Sequence, residues 1–312
     1  MLVGRGHLSG AETYELVALY RTCARHLSRV RSAAPDPQLI AELSSRVAAA
    51  RGRLTGTREV RSHSVRRFVL QSVPAALYRI RWVILGVMAV FIALCAIQAH
   101  YMMTTPEAMN ELGSPERLRT YAQSEFVEYY SQDTHAEFGV SVWANNAWIT
   151  LISIGTGITG FYPLKILWDN AVSLGTSAAV VITYGGAWHF FRFILPHGVP
   201  ELTAVFISIA AGLRIFWAFL VPGPASRFQA VGQAARAAMT VAVGCAILLA
   251  GSGFLEGFVT PSELPDALKI SLGLLLTVAA WAYILLLGRR ADRAGLSSDV
   301  GTDAGYYQPV SG

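Results

Sequence analysis

The sequence predicts an all-α, polytopic membrane protein with about six transmembrane helices behind an N-terminal cytoplasmic helical hairpin. Three observations predict it. Hydrophobic residues make up 53% of the 312 and charged residues only 14%, against roughly 25% charged in ordinary soluble domains; one soluble core cannot hide that much apolar surface. Apolar runs long enough to cross a bilayer recur between Trp82 and Leu287. Charge is also segregated. Of the 25 Lys and Arg, 14 fall in residues 1–81, all of them Arg, and Arg-rich and acid-rich connecting segments then alternate, as the positive-inside rule describes for a polytopic chain.

Residues 1–81 are expected to form the cytoplasmic helical region. Residues 1–10 lack the apolar core of a secretory signal, so the first span serves as an uncleaved anchor. Leu16, Leu19, Tyr20, Cys23 and Leu27 recur at the three- and four-residue steps of one helix face. Ser32 to Pro37 breaks that helix, and a second runs from Gln38 to Arg53 with Leu39, Leu43 and Val47 on one stripe. From Ser62 to Arg79, Phe68, Val69 and Leu70 mix with Arg66, Arg67 and Arg79, which suits an interfacial helix on an anionic leaflet or a linker helix. The Arg excess reads as a cytoplasmic retention signal. No aromatic-basic stacking pattern accompanies it, so no nucleic-acid partner is expected.

Residues 82–288 are expected to hold the six spans: 82–99, 143–164, 171–186, 201–221, 237–255 and 268–287. An outer amphipathic segment, 100–140, carries seven acids against Arg117 and Arg119. Within it, Ser114-Pro115-Glu116 is a helix start, with a Ser cap, Pro in the first turn and an acid near the positive helix end; Phe126, Tyr129 and Tyr130 follow as an apolar stripe. Lys165 to Asn170 is expected to turn at the cytoplasmic face. Trp188 to Pro200 is expected to be a connector, and Pro222-Gly223-Pro224 ends the fourth span. Residues 289–312, opening with Arg289, Arg290 and Arg293, are Gly/Ser/Asp-rich and are expected to be a disordered cytoplasmic tail.

Few residues suggest chemistry. Cys23, Cys95 and Cys245 are isolated and lack metal-ligand spacing. Gly155-Thr156-Gly157-Ile158-Thr159-Gly160 matches G-x-G-x-x-G, but it lies in an apolar span with no βαβ unit around it; close helix packing accounts for it better than a nucleotide. The polar residues of interest are Asn145 and Asn146, Asp169 and Asn170, His197 and Glu201, and Arg214. Ionisable groups at membrane depth are functional candidates by default. Asn145 and Asn146 fit helix capping or bonds to another helix, and Asp169 fits a helix-start acid. Arg214 is in range of Asp169 or of the inner headgroups, and Glu256 is in range of His197 or Arg192. One His and one Glu are too few for a catalytic zinc, which takes three protein ligands, so no metal, cofactor or catalytic residue is expected.

Trp143-Ala144-Asn145-Asn146, the glycine-rich second span, Asp169-Asn170 leading to Gly175, and Leu195-Pro196-His197-Gly198 through Glu201-Leu202-Thr203-Ala204 to Gly212-Leu213-Arg214 resemble the stage II sporulation protein M family. The N-terminal part is similar to its actinobacterial branch, in Glu15-Leu16-Val17, Tyr20-Arg21, His26-Leu27 and Arg31-Ser32-Ala33. The resemblance implies a non-enzymatic integral membrane scaffold in the plasma membrane, both termini cytoplasmic, that organises envelope or peptidoglycan-remodelling enzymes. A MoxR-type ATPase and a second copy of the chain are the other partners it implies, besides the lipid bilayer. The alternative reading is a transporter or permease-like component whose path runs along His197, Glu201 and Arg214.

Overall fold

The computed structural model describes residues 10–33, 40, 43, 44, 47, 62–126 and 135–295. Among these the regular structure is entirely helical. The chain divides into two compact units, one containing the N-terminal helix and the other running on from Arg66.

In the first unit, α1 spans Gly10–Ala33. Leu16 and Leu27 are buried, whereas Leu19 and Cys23 from the same expected stripe are exposed. The second helix of the expected hairpin lies largely outside the described residues; Ile40, Leu43, Ser44 and Val47 within it are helical.

The second unit opens with α2 (Ser62–Arg67), one wide π turn (Phe68–Ser72) and α3 (Val73–Arg79). One face of this stretch is buried within the protein, at Val73, Ala75, Ala76 and Leu77, while Arg66, Arg67 and Leu70 are exposed. The Tyr283 hydroxyl donates to the Val69 carbonyl, and Arg79 Nε meets Asp292 Oδ1 at 3.0 Å. Helix α4 (Arg81–Thr104) follows as the first span. Then come α5 (Pro106–Leu112) and α6 (Pro115–Thr120), the latter capped by Ser114 Oγ accepting from the Arg117 N–H at 3.3 Å. A π turn (Tyr121–Glu125) leads to Phe126; Tyr129 and Tyr130 lie outside the described residues.

Helices α7 (His135–Gly155) and α8 (Phe161–Gly185) are joined by a short turn, but it lies at Thr156–Gly160 and not at Lys165–Asn170, and the two do not form the expected tight pair: α8 packs mainly on α4 and α7 on the two helices that follow α8. Nothing in 165–170 breaks a helix, whereas Gly160 adopts φ +65°, which a residue with a Cβ resists. Pro163 then sits in the first turn of α8, where its missing N–H costs nothing. Helix α9 (Ala187–Leu220) absorbs the expected connector entirely, running unbroken through Pro196 and Pro200. Prolines persist inside such helices when neighbours satisfy the freed carbonyls. Helix α10 (Arg227–Phe254) starts earlier than expected at a capping box of Ser226 and Gln229, so Arg227 and Arg236 lie in the helix and not in a loop. It continues into a π turn, Leu255–Val259. Helix α11 (Asp266–Ala282), a π turn (Tyr283–Leu287) and α12 (Gly288–Arg293) complete the described chain. The expected tail from 296 onward is outside the described residues.

Among the described residues, five helices are long and apolar enough to cross a membrane: α4, α8, α9, α10 with its π turn, and α11 through α12. The second expected span, 143–164, corresponds to α7. It is not among the five, because Glu137, Asn145 and Asn146 dilute its 21 residues. Helix α9 is the hub. It packs on α4, α7, α8, α10 and α11, and 67% of its most apolar stretch is buried inside the protein, against 17% for α4 and 11% for α11. Close approach is made possible by glycine. A Cβ at Gly157 would sit 2.8 Å from the Gly212 carbonyl, one at Gly212 would collide with the Ser153 carbonyl, and one at Gly273 would collide with that of Pro196. The packing expected of the Gly155–Gly160 run is therefore present, at a turn and not along a span.

Candidate functional site

The hub helix carries His197 and Glu201 four residues apart, on one face, because the segment around them is helical. Across from them, α10 and its π turn present Ser252, Glu256 and Thr260, again spaced by four. Ser252 Oγ donates to the His197 carbonyl at 2.8 Å, which ties the two helices together. His197 Nε2 lies 3.8 Å from Glu256 Oε1. One ligand atom from each of His197, Glu201 and Glu256 falls within 4.8 Å of the others. From α7, Asn146 reaches the Glu201 carboxyl while its Nδ2 also donates to the Val142 carbonyl at 3.2 Å.

The orientation of the imidazole follows from donor accounting. Thr260 Oγ1 lies 3.1 Å from the Leu255 carbonyl and 3.2 Å from His197 Nδ1. With the hydroxyl donating to the Leu255 carbonyl, Thr260 Oγ1 is left to accept from His197 Nδ1–H. That tautomer puts the lone pair of the ring on Nε2, on the side of Glu256. Lys269 Nζ holds the Thr260 carbonyl at 2.8 Å and closes the cluster from α11. His197, Glu256, Thr260, Ser252, Asn146 and Lys269 are all buried. Glu256 Oε2 is buried with no hydrogen-bond partner.

Of the seven polar residues singled out from sequence, the structure brings Asn146, His197 and Glu201 together. Asn145 is exposed. Asp169 is exposed and paired with Lys165 at 2.5 Å, not with Arg214. Asn170 donates to its own helix at the Ile166 carbonyl, 2.8 Å away. Arg214 is exposed, about 20 Å along α9 from Glu201 at 1.5 Å per residue. The count of two protein ligands becomes three, because Glu256 comes in from α10; of its two expected partners, His197 is the one beside it. Thr260, Ser252 and Lys269 gave no motif. The spacing Ser252, Glu256, Thr260 within an otherwise apolar helix was the signal that could have found two of them.

A family model described as Stage II sporulation protein M matches residues 83–261, more than half of the chain and the whole cluster except Lys269. A second model, described as a domain of unknown function (DUF8413), matches residues 1–56. Comparison with curated proteins and with solved structures gives no match.

Proposed function

The chain belongs to the stage II sporulation protein M family, and from that premise we propose that it is a non-enzymatic membrane scaffold that docks envelope partners on the ledge formed by α5, α6 and the following π turn. One observation carries this reading: the ledge is preorganised. Met109, Leu118, Ala122 and Phe126 are buried against Ala178, Ala179, Val180 and Val181 of α8 and Phe190 of α9. Its opposite side offers Glu107, Glu111, Glu116, Arg117 and Arg119 to solvent. A ledge already fixed to the bundle binds a partner without the cost of ordering a loop. With α7 taken as a sixth span, both termini fall on the cytoplasmic side of the plasma membrane and the ledge faces outward, toward peptidoglycan-remodelling enzymes. A MoxR-type ATPase is the partner this reading assigns to the cytoplasmic face, and a second copy of the chain could share the bilayer.

A transport path along α9 has less support. Between Glu201 and Arg214 the buried side of the helix is mostly apolar, Ala204 to Ile207 and Ile209 to Ala211, and its two buried hydroxyls, Thr203 and Ser208, bond to carbonyls of their own helix.

The experiment is mild crosslinking of the tagged chain in its native membrane, followed by mass spectrometry of what co-purifies. A peptidoglycan enzyme recovered near stoichiometry, and lost when Glu107, Glu111 and Glu116 are changed to Lys together, is the expected result. Recovery of the chain alone, or of the same partners whatever the charge of the ledge, would overturn the reading.

A further inference from the structure

Two carboxyls and an imidazole packed between apolar helices must be neutralised, since unpaired charge in such surroundings is very costly. A proton shared between His197 and Glu256 does not fit this arrangement. A protonated Glu256 bonding to His197 Nε2 would need a separation near 2.7–3.0 Å, and the atoms stand 3.8 Å apart. Its other oxygen, Oε2, is buried with nothing to accept from or donate to it. An ion between the side chains answers both points. Two ligand atoms about 2.1 Å from a tetrahedral zinc lie about 3.4 Å apart; the His197–Glu256 pair stands at 3.8 Å and the three ligand atoms lie within 4.8 Å of one another, so the side chains close in by up to about 1.4 Å on binding.

We propose that His197, Glu201 and Glu256 form a binding site for one divalent first-row cation of the zinc class. Within the ligand set the charge balances, because two carboxylates neutralise a dication and the neutral imidazole adds none; the Lys269 ammonium lies outside that set, on the Thr260 carbonyl. The ligand set, one nitrogen and two oxygens, suits zinc, manganese or ferrous iron better than calcium, which takes six to eight oxygens. The surrounding groups are those that orient metal ligands. Thr260 accepts the Nδ1 proton and thereby aims Nε2 at the ion, and Asn146 holds the Glu201 carboxyl. Such outer partners fix tautomer and geometry in metal sites generally. Three protein ligands leave a fourth position for a water or an incoming group. The ion would clamp α9 to the end of α10, on the helix that organises the bundle.

The test uses the full chain in lipid nanodiscs, carrying no polyhistidine tag, stripped with chelator and re-equilibrated with zinc. Elemental analysis is expected to find one zinc per chain, and zinc is expected to raise the thermal midpoint. Glu256→Gln keeps the side-chain shape and removes the charge; it and His197→Ala are expected to lose the metal and the zinc-dependent stabilisation, while Asn145→Ala keeps both. Thr260→Val removes the acceptor for Nδ1–H and is expected to weaken zinc about 10–100-fold in chelator competition, with one zinc still bound at saturation. Substoichiometric zinc in the unmodified chain overturns the proposal. Equal zinc in the unmodified chain and a folded Glu256→Gln variant overturns it as well.

Discussion

Gly273→Ala should loosen the contact of α11 with the hub. Pro200 has no N–H, so the Pro196 carbonyl one turn earlier lacks its intrahelical donor. The backbone of Gly273 packs directly against that carbonyl: an added Cβ would overlap the oxygen and come within 2.7 Å of the carbonyl carbon and 3.0 Å of the Pro196 Cα. Carbon atoms prefer about 3.5–4.0 Å, so α11 has to retreat by about 1 Å. Overpacking of this kind costs about 1–3 kcal/mol, and a lost Cα–H···O contact adds about 0.5–1 kcal/mol. Alanine returns about 1 kcal/mol through helix propensity. Gly86→Ala supplies the reference, since nothing lies within 4 Å of a Cβ there and the same propensity gain applies. Reversible unfolding in mixed micelles, titrated with SDS and followed by tryptophan fluorescence, should separate the two variants by about 1.5–4 kcal/mol, the steric and contact losses alone. If Gly273→Ala and Gly86→Ala unfold within about 0.5 kcal/mol of one another, the close approach of α11 to Pro196 is wrong.

Ser252→Ala removes the hydroxyl bond to the His197 carbonyl and should cost about 1 kcal/mol in the same titration; a neutral result would mean that the bond does not hold α10 to α9. Ser114→Ala removes the cap of α6 and should cost about 1 kcal/mol, seen as faster amide exchange confined to residues 115–120. The Glu116 carboxyl is held below the usual carboxylate range by the backbone N–H groups at its helix start and by Ser114. Its folded value is depressed, so its contribution is present above the ordinary value of 4.5 and is lost as pH falls through the depressed one. Exchange of the ledge amides should accelerate over that acid range, and Glu116→Gln should abolish the pH dependence.

The helical class and the membrane character were legible because composition and apolar run length report directly on solvent. The Ser114 cap was legible too, being a local motif. Boundaries inside 143–221 were not. The polar run Lys165–Asn170 looks like a turn, yet Lys165 and Asp169 pair along one helix face and stay helical. The apolar glycines 155–160 look like a span, yet they form the turn. Hydropathy ranks residues by polarity, whereas chain reversal is decided by which backbone can adopt positive φ, and here that is Gly160 and Gly186. Pro196 and Pro200 misled for a related reason. Proline breaks a helix in water, but in a packed bundle a glycine on a neighbouring helix can cover the freed carbonyl. Half of the cluster was visible because His197 and Glu201 share one stretch of sequence. Glu256 was identified only as a neighbour of His197 or Arg192, since no spacing rule joins positions 55 to 59 residues apart.

Several irregularities meet at the cluster, although π turns also occur at Phe68–Ser72, Tyr121–Glu125 and Tyr283–Leu287. Pro196 and Pro200 flank His197 in α9, the π turn of α10 contains Glu256, and Gly273 of α11 packs beside Pro196. Each is locally unfavourable: a proline removes a helix hydrogen bond, a π turn has poorer geometry than an α turn, and glycine is a weak helix former. If α9, α10 and α11 existed only to fill the bilayer, regular apolar helices would do so at lower cost. The deviations make sense together if the requirement is to bring two carboxyls and an oriented imidazole to one point. The π turn supplies the i→i+5 bond from the Thr260 N–H to the Leu255 carbonyl, 2.8 Å, and so leaves that same carbonyl to take the Thr260 hydroxyl proton as well. The tautomer of His197 therefore depends on a backbone irregularity five residues long. A local departure from helical regularity that fixes the chemistry of a distant side chain is the signature of a site, and it sets this cluster apart from the singly placed polar residues elsewhere in the spans.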